Sequence, residues 1–259
     1  MKKSVAFVKT RRQQIMTMLA QHPELKVREL ATRHGVSALT IRRDLDALAA
    51  QGLLNRIYGG AALVSTDTIM HDNTQEQNKR ALGARAAACI HEGDTLFINS
   101  SSTALLTLEY VRECHITAIT NNGKAIHQNL DPRIKLVLTG GHIQFPKEAL
   151  TGEFALRNLE KVTAQKAVMG FSGISLEGGL TTSNLDEVAI NEMMLRRATE
   201  KVVVVVESHK LGHDSTFRSG ELAAVSHLIT DSGADTEFVT ELGRRGIKVT
   251  LVDVTEAGV

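Results

Sequence analysis

In the first fifty residues the apolar positions fall at helical spacing three times. Arg11–Gln21 put Ile15, Met18 and Leu19 on one side, and Lys26–His34 turn Val27, Leu30 and Ala31 inward before Gly35 stops the helix. A third run starts behind Ser37, whose hydroxyl suits an N-cap. It carries Ile41, Leu45 and Leu48 at i, i+4 and i+7 and ends at Gly52. Two short strand-like runs then flank Gly59-Gly60 in LLNRIYGGAALV, the sign of a tight hairpin. Two helices joined by the short turn His34-Gly35-Val36, with a third packed before them and a hairpin after, predict a winged helix-turn-helix over residues 1–64.

The stretch STDTIMHDNT, residues 65–74, has no clear periodicity and several turn formers, so it reads as a linker. From residue 75 the period then switches repeatedly. Strand-like runs TLFIN, HITAIT, IKLVLTGG, KAVMGFSG, KVVVVVE, SHLIT and IKVTLVDV alternate with helical ones such as NKRALGARAAACIHEG, TALLTLEYV, EVAINEMMLRRATE and TEFVTELGRRG. A short helix after HITAIT and another near Gly152–Lys161 complete the alternation. This predicts an α/β domain over residues 75–259 with a largely parallel sheet and helices on both faces. The five valines Val202–Val206 suit a strand buried on both sides. No apolar run approaches the ~20 residues that cross a bilayer. The N-terminus MKKSVAFVKTRRQQ lacks the apolar core of a signal peptide. Cys89 and Cys114 each sit among aliphatic residues and read as buried, reduced thiols, which points to the cytoplasm.

Charge changes the picture more than composition does. The chain as a whole carries +1, yet residues 1–64 hold eleven Lys and Arg against four acids, a net +7, while the remainder carries −6. A basic module joined to an acidic body points to an anionic partner for the module alone, and double-stranded DNA is the leading candidate. With 41, 45 and 48 turned inward, positions 39, 40, 42, 43 and 47 lie on the outer arc of the third helix. Thr40, Arg42 and Arg43 then sit in its first two turns, where side chains reach base edges and phosphates, and Ser37 faces the phosphate backbone with the helix amides. Arg56 and Tyr58 on the hairpin are placed for a flanking phosphate or the minor groove.

In the acidic body, ligands are expected beyond the carboxyl ends of the strands. The richest end is Asn99-Ser100-Ser101-Ser102-Thr103, where hydroxyls and a helix N-terminus together suit an anion, although serine runs also serve as simple caps. Thr120-Asn121-Asn122, Gly140-Gly141 and Gly170-Phe171-Ser172-Gly173 fall at further strand ends, and Lys210 is a candidate counter-charge.

The run VSALTIRRDLDALAAQGLLNRIYGGA resembles the signature of the DeoR family of bacterial transcriptional regulators. The pattern VS-x-x-TIRRDL-x-x-L-x-x-x-G-x-L-x-R-x-x-GGA is met at Val36, Ser37, Thr40–Leu45, Leu48, Gly52, Leu54, Arg56 and Gly59–Ala61. The resemblance extends through the body. It implies a sensor domain similar in fold to ribose-5-phosphate isomerase and the sugar-phosphate deaminases, and a repressor released from its operator by a phosphorylated sugar or related metabolite. The family's D-x-G-T-T loop aligns with Asn99–Thr103, its TN with Thr120-Asn121, its GG with Gly140-Gly141, and its D-S-S-K-x-G with Glu207–Gly212. Asn99 and Glu207 stand where the family has Asp, and Ser101 where it has Gly, while the hydroxyl pair Ser102-Thr103 is kept. An amide donates as well as accepts, so the exchange at 99 is expected to alter ligand choice.

The isomerases of the related fold place closely spaced acids at a strand end for proton transfer. The corresponding end here, GFSGIS, offers no carboxylate before Glu177, so no general base is expected and the chain is read as a non-enzyme. The rival reading is a sugar-phosphate isomerase or deaminase with an appended basic domain. His209 and His213 are separated by Gly212 and lack a third ligand, so no metal is expected. No G-x-G-x-x-G follows a strand, and no cofactor is expected. One winged module covers few base pairs, so a homodimer or higher oligomer built through the acidic body is expected.

Overall fold

The computed structural model describes residues 5–22, 24–49, 54–57, 59–63 and 66–253, which divide into two compact units, 1–74 and 75–259. In the first unit α1 (Val5–Gln21), β1 (Glu24–Lys26), α2 (Val27–His34), α3 (Ala38–Ala49), β2 (Leu54–Ile57) and β3 (Gly60–Leu63) follow in order. Ile15, Leu19, Leu30, Ile41, Leu45 and Leu54 are fully buried together, so the inward stripes read from the sequence form one core. Gly35 closes α2 in the left-handed conformation (φ 58°), where a side chain would be strained. The β2–β3 hairpin pairs Ile57 with Gly60. A third strand joins it: β1 pairs antiparallel with β3, Leu25 opposite Ala61, so the wing is a three-stranded sheet in the order β1-β3-β2. Gly52 lies outside the described residues.

Residues 66–74, from the stretch read as a linker, form the first turns of α4 (Thr66–Ala87). Their polar sequence gave no apolar stripe, and helices can form without one.

The second unit continues with β4 (Thr95–Ile98), α5 (Ser102–Tyr110), β5 (Ile116–Thr120), β6 (Ile134–Leu138), β7 (His142–Gln144), β8 (Ala149–Thr151), α6 (Glu153–Glu160) and β9 (Ala164–Met169). Then come β10 (Gly173–Ser175), β11 (Gly179–Thr182), α7 (Leu185–Arg197), β12 (Ala198–Val205), β13 (Phe217–Gly220), β14 (His227–Asp231), α8 (Thr236–Arg244) and β15 (Lys248–Val252). Seven strands build one sheet in the order β15-β14-β12-β9-β4-β5-β6, and every neighbouring pair in it is parallel. The valine run shows how both faces are covered. Val202, Val204 and Val206 pack with α6, α7 and α8 residues such as Leu159, Met194 and Leu242. Val203 and Val205 point the other way, against Leu82 and Ala86 of α4 and Leu105 and Leu108 of α5. Two small antiparallel additions were not foreseen: the β7–β8 hairpin and the sheet β10-β11-β13. Among the described residues, no helix is long and apolar enough to cross a membrane. Cys89 and Cys114 are unpaired and only half-buried, because each borders the rim rather than the centre of its apolar cluster.

His227 at the start of β14 is 2% exposed, with Nε2 at 2.9 Å from the Thr250 hydroxyl and Nδ1 at 3.7 Å from the Cys89 Sγ. Burial, then the cations of Lys248, Arg85 and Lys201, push its pKa down to about 4. Between its ordinary value of 6.5 and 4 the unfolded chain binds the proton first, so stability is lost as pH is lowered through that window. The full loss is about 3 kcal/mol. Urea denaturation at pH 7 and pH 5, which spans only part of that window, is expected to show roughly 2 kcal/mol of this loss in the parent and a smaller drop in His227→Gln.

Candidate nucleic-acid interface and anion cleft

The Ser37 hydroxyl accepts the N–H of Thr40 at 3.2 Å and lies 2.9 Å from the Thr40 hydroxyl, so it starts α3 as an N-cap. Both hydroxyls are thus shared with each other, while Arg42 and Arg43 one turn on are exposed. The obvious carboxylate partners for these arginines are engaged elsewhere. Asp44 is buried and accepts Arg11 Nε at 2.6 Å and Arg12 Nε at 2.9 Å. Asp46 lies 3.5 Å from Arg56 Nε on the wing. Among the described residues neither Arg42 nor Arg43 is paired with an acid. Two positive charges are therefore held on the outer arc without an acid partner among the described residues, next to the amides of a helix start. The Arg56–Asp46 contact is largely solvated and worth at most about 1 kcal/mol, so Arg56 can exchange it for a phosphate. Tyr58 lies outside the described residues.

The second unit carries a cleft of about 320 Å³ at the carboxyl ends of β4 and β9. Ser100, Ser101, Ser102 and Thr103 line one side, where β4 gives way to α5. Ser101 is the N-cap: its hydroxyl accepts the N–H of Ala104 at 3.3 Å. Among the described residues no acceptor meets the N–H of Ser102 or Thr103, so two amides of a nine-residue helix stay available to an anion. Gly170 and Phe171 face them across the cleft. A Cβ on Gly170 would press into the Ser101 side chain, which is why the close approach of the two strand ends needs glycine there.

Three lysines surround this cradle. Lys210, which the sequence singled out, meets Glu207 at 2.7 Å. Lys147 comes from the β7–β8 turn and meets Glu187 of α7 at 3.2 Å. Lys124 follows β5 and is exposed, without an acid partner among the described residues. Burial alone raises the Glu207 carboxyl, and the adjacent Lys210 ammonium, helped by Lys79, outweighs it, leaving the pKa below its ordinary value. The Glu207 charge is thus held in place by the cation of the cleft. Its second oxygen, Oε1, is buried without a partner among the described residues.

Six of the fifteen residues singled out at the strand ends do not line the cleft. Asn99 is 1% exposed and turned inward. Its Nδ2 donates to the Gly170 carbonyl at 2.8 Å and to Asn191 Oδ1 at 3.1 Å, while its Oδ1 accepts the N–H of Gly170 at 3.0 Å and of Ser101 at 3.3 Å. It therefore clasps the two strand ends and does not itself line the cleft. The Thr120 hydroxyl accepts the Asn122 N–H, and the Asn121 amide is drawn to the Leu150 carbonyl. Gly140 and Gly141, at φ 73° and 107°, make the turn after β6, with Gly141 packed on the Thr151 carbonyl. Gly173 lies under the backbone of His213 and Ser215.

Lys124, Lys147, Thr182, Ser183 and Glu187 line the cleft and had not been singled out. Glu187 brings a carboxylate to the cleft that the run GFSGIS itself does not carry. It is buried, and its oxygens accept the Thr182 hydroxyl at 2.9 Å and the Lys147 ammonium. It belongs to the start of the next helix, α7, and not to the strand end itself. Among the described residues no group of three His, Cys, Asp or Glu side chains is arranged to hold a metal ion.

Comparison with known proteins bears on both units. Residues 11–67 match the model of the DeoR-like helix-turn-helix domain, and residues 74–232 that of the DeoR C terminal sensor domain. The lactose phosphotransferase system repressor of Streptococcus mutans is 29% identical, over 87% of this chain and 92% of its own. The glycerol-3-phosphate regulon repressor of Escherichia coli is 28% identical, over 84% of this chain and 88% of its own. A ribose 5-phosphate isomerase from Methanocaldococcus jannaschii aligns with 52% of this chain and 54% of its own at 17% identity and a TM-score of 0.38. With the family's two domains matched in order and across most of the length, the chain belongs to the DeoR family of transcriptional regulators.

Proposed function

We propose that this protein is a sequence-specific repressor of a carbohydrate operon, acting in the cytoplasm as a homodimer or higher oligomer and modulated by a phosphorylated sugar or related metabolite. The observation that carries the DNA-binding part is the state of α3: two exposed arginines on its outer arc, with both neighbouring aspartates engaged by other arginines. At about 100° per residue, Arg43 projects almost directly away from Ile41 and the core, whereas Arg42 leans to the flank. Arg43 is therefore assigned to a base edge, together with Thr40, and Arg42 to phosphate, together with Ser37, Arg56 and Tyr58.

The expected result is a split. Arg43→Ala weakens specific binding by about 1–3 kcal/mol and relaxes preference at one position. Arg42→Ala weakens binding equally on all sequences and lowers the slope of log K against log salt by ~1. Titrations of both variants on specific and random duplexes at several salt concentrations make the comparison. Unchanged affinity for both would remove α3 from the interface.

For the effector, support comes from the cleft: free helix amides, serine hydroxyls and three lysines converge where a phosphate would sit. Ser100 to Thr103, Gly170 and Lys210 are assigned to the anionic group. Asn99, Thr120, Asn121, Gly140, Gly141 and Gly173 are assigned to shaping the walls. A turnover role is disfavoured because Glu187, the one acid lining the cleft among the described residues, already accepts from Lys147 and Thr182. Assay of pentose and hexose phosphates for conversion tests that: measurable turnover would favour the enzyme reading. Coupling requires that the metabolite bind DNA-competent and incompetent arrangements with different affinity.

A further inference from the structure

Leu39, in the first turn of α3, is 57% exposed, and among the described residues of the N-terminal unit it is the one large apolar side chain left in solvent. The other aliphatic residues of the same helix, Ile41, Leu45 and Leu48, are buried. At about 100° per residue Leu39 projects roughly 160° from Ile41, directly opposite the core and within about 40° of Arg43. One face of α3 thus presents a bare isobutyl group beside a guanidinium that has no acid partner among the described residues.

In the major groove the pyrimidine 5-methyl of thymine is the apolar group on a base edge, and it takes contact from apolar side chains. The N-terminal residues of a recognition helix are those that reach base edges. Leu39 and Arg43 are one turn apart, about 6 Å along the axis, which corresponds to about two base-pair steps. Resting on the DNA-binding reading above, we propose that Leu39 reads a thymine methyl group, within about two base pairs of the base read by Arg43. The half-site then contains a T·A pair whose identity is recognised through one methyl, with no hydrogen bond from Leu39.

The test uses the full chain and a site enriched by it from a random duplex library. Each thymine of the half-site is replaced in turn by deoxyuridine, which removes only the methyl, and each duplex is titrated with the parent and with Leu39→Ala. At one position deoxyuridine is expected to weaken the parent about three- to tenfold and to leave Leu39→Ala unaffected. Because Leu39 is exposed, Leu39→Ala should melt like the parent. Leu39→Asn should behave as Leu39→Ala does at that position. Indifference of the parent to deoxyuridine at every thymine would overturn the proposal, as would an equal loss in the variant. Failure to enrich any site would overturn the DNA-binding reading itself, and this inference with it.

Discussion

Asp44→Ala is expected to unfold the N-terminal unit and abolish DNA binding, while the melting transition of the second unit stays in place. Asp44 is 2% exposed on α3 and receives Arg11, 6% exposed, and Arg12 from α1. Removing it leaves the Arg11 guanidinium buried without a counter-ion, a change that costs about 3–5 kcal/mol. A unit of this size has a total stability of the same order, so the folded fraction collapses. The pair also fixes α3 against α1, and with it the direction in which Arg42 and Arg43 project. Calorimetry with parallel DNA titration reads both effects. If charge burial is the cause, Asp44→Leu combined with Arg11→Met should recover most of the lost stability, since an apolar pair of similar volume replaces the ions. A single variant that melts and binds like the parent would show that the ion pair is dispensable.

The second large effect is expected at Asn99. In Asn99→Asp a carboxylate oxygen replaces the Nδ2 that donates to the Gly170 carbonyl and to Asn191. Asn191 can reverse its own amide, because its other partner, the Ser219 hydroxyl, both donates and accepts. The Gly170 carbonyl has no such freedom and would be left facing a buried negative charge. An unmet buried acceptor costs about 1–3 kcal/mol, and the charge adds to it. Burial raises the carboxyl pKa in the folded state, so the folded variant holds the proton to higher pH than the unfolded chain does. The variant should therefore recover stability as pH falls, the opposite of the sense set by His227 in the parent. Melting curves of the second unit between about pH 5 and pH 8 separate the two. A variant as stable as the parent at both ends of that range would remove the clasp role.

These two residues also mark where the sequence is informative. The core of the winged module was legible because Ile41, Leu45 and Leu48 repeat at helical spacing and the hairpin announces itself at Gly59-Gly60. The strand Glu24–Lys26 was not, since three residues carry no period and its pairing with Gly60–Ala62 spans more than thirty positions. In the second unit the Ser100–Thr103 cradle was visible because strand end, serines and helix start are contiguous. Lys147 and Glu187 were invisible, for the hairpin and α7 that bring them to the cleft pack there through non-local contacts. Asn99 looked like a ligand by its place at a strand end. Its inward turn is set by Gly170 and Asn191, 71 and 92 residues away, and no local pattern encodes that.

The most direct measurement titrates the full chain into a fluorescent duplex at low ionic strength and then adds pentose, hexose and triose phosphates in turn. Salt-sensitive association, reversed by at least one phosphorylated compound and not by its unphosphorylated counterpart, is the expected result. No association with any duplex, or association that every phosphorylated compound leaves intact, would contradict it.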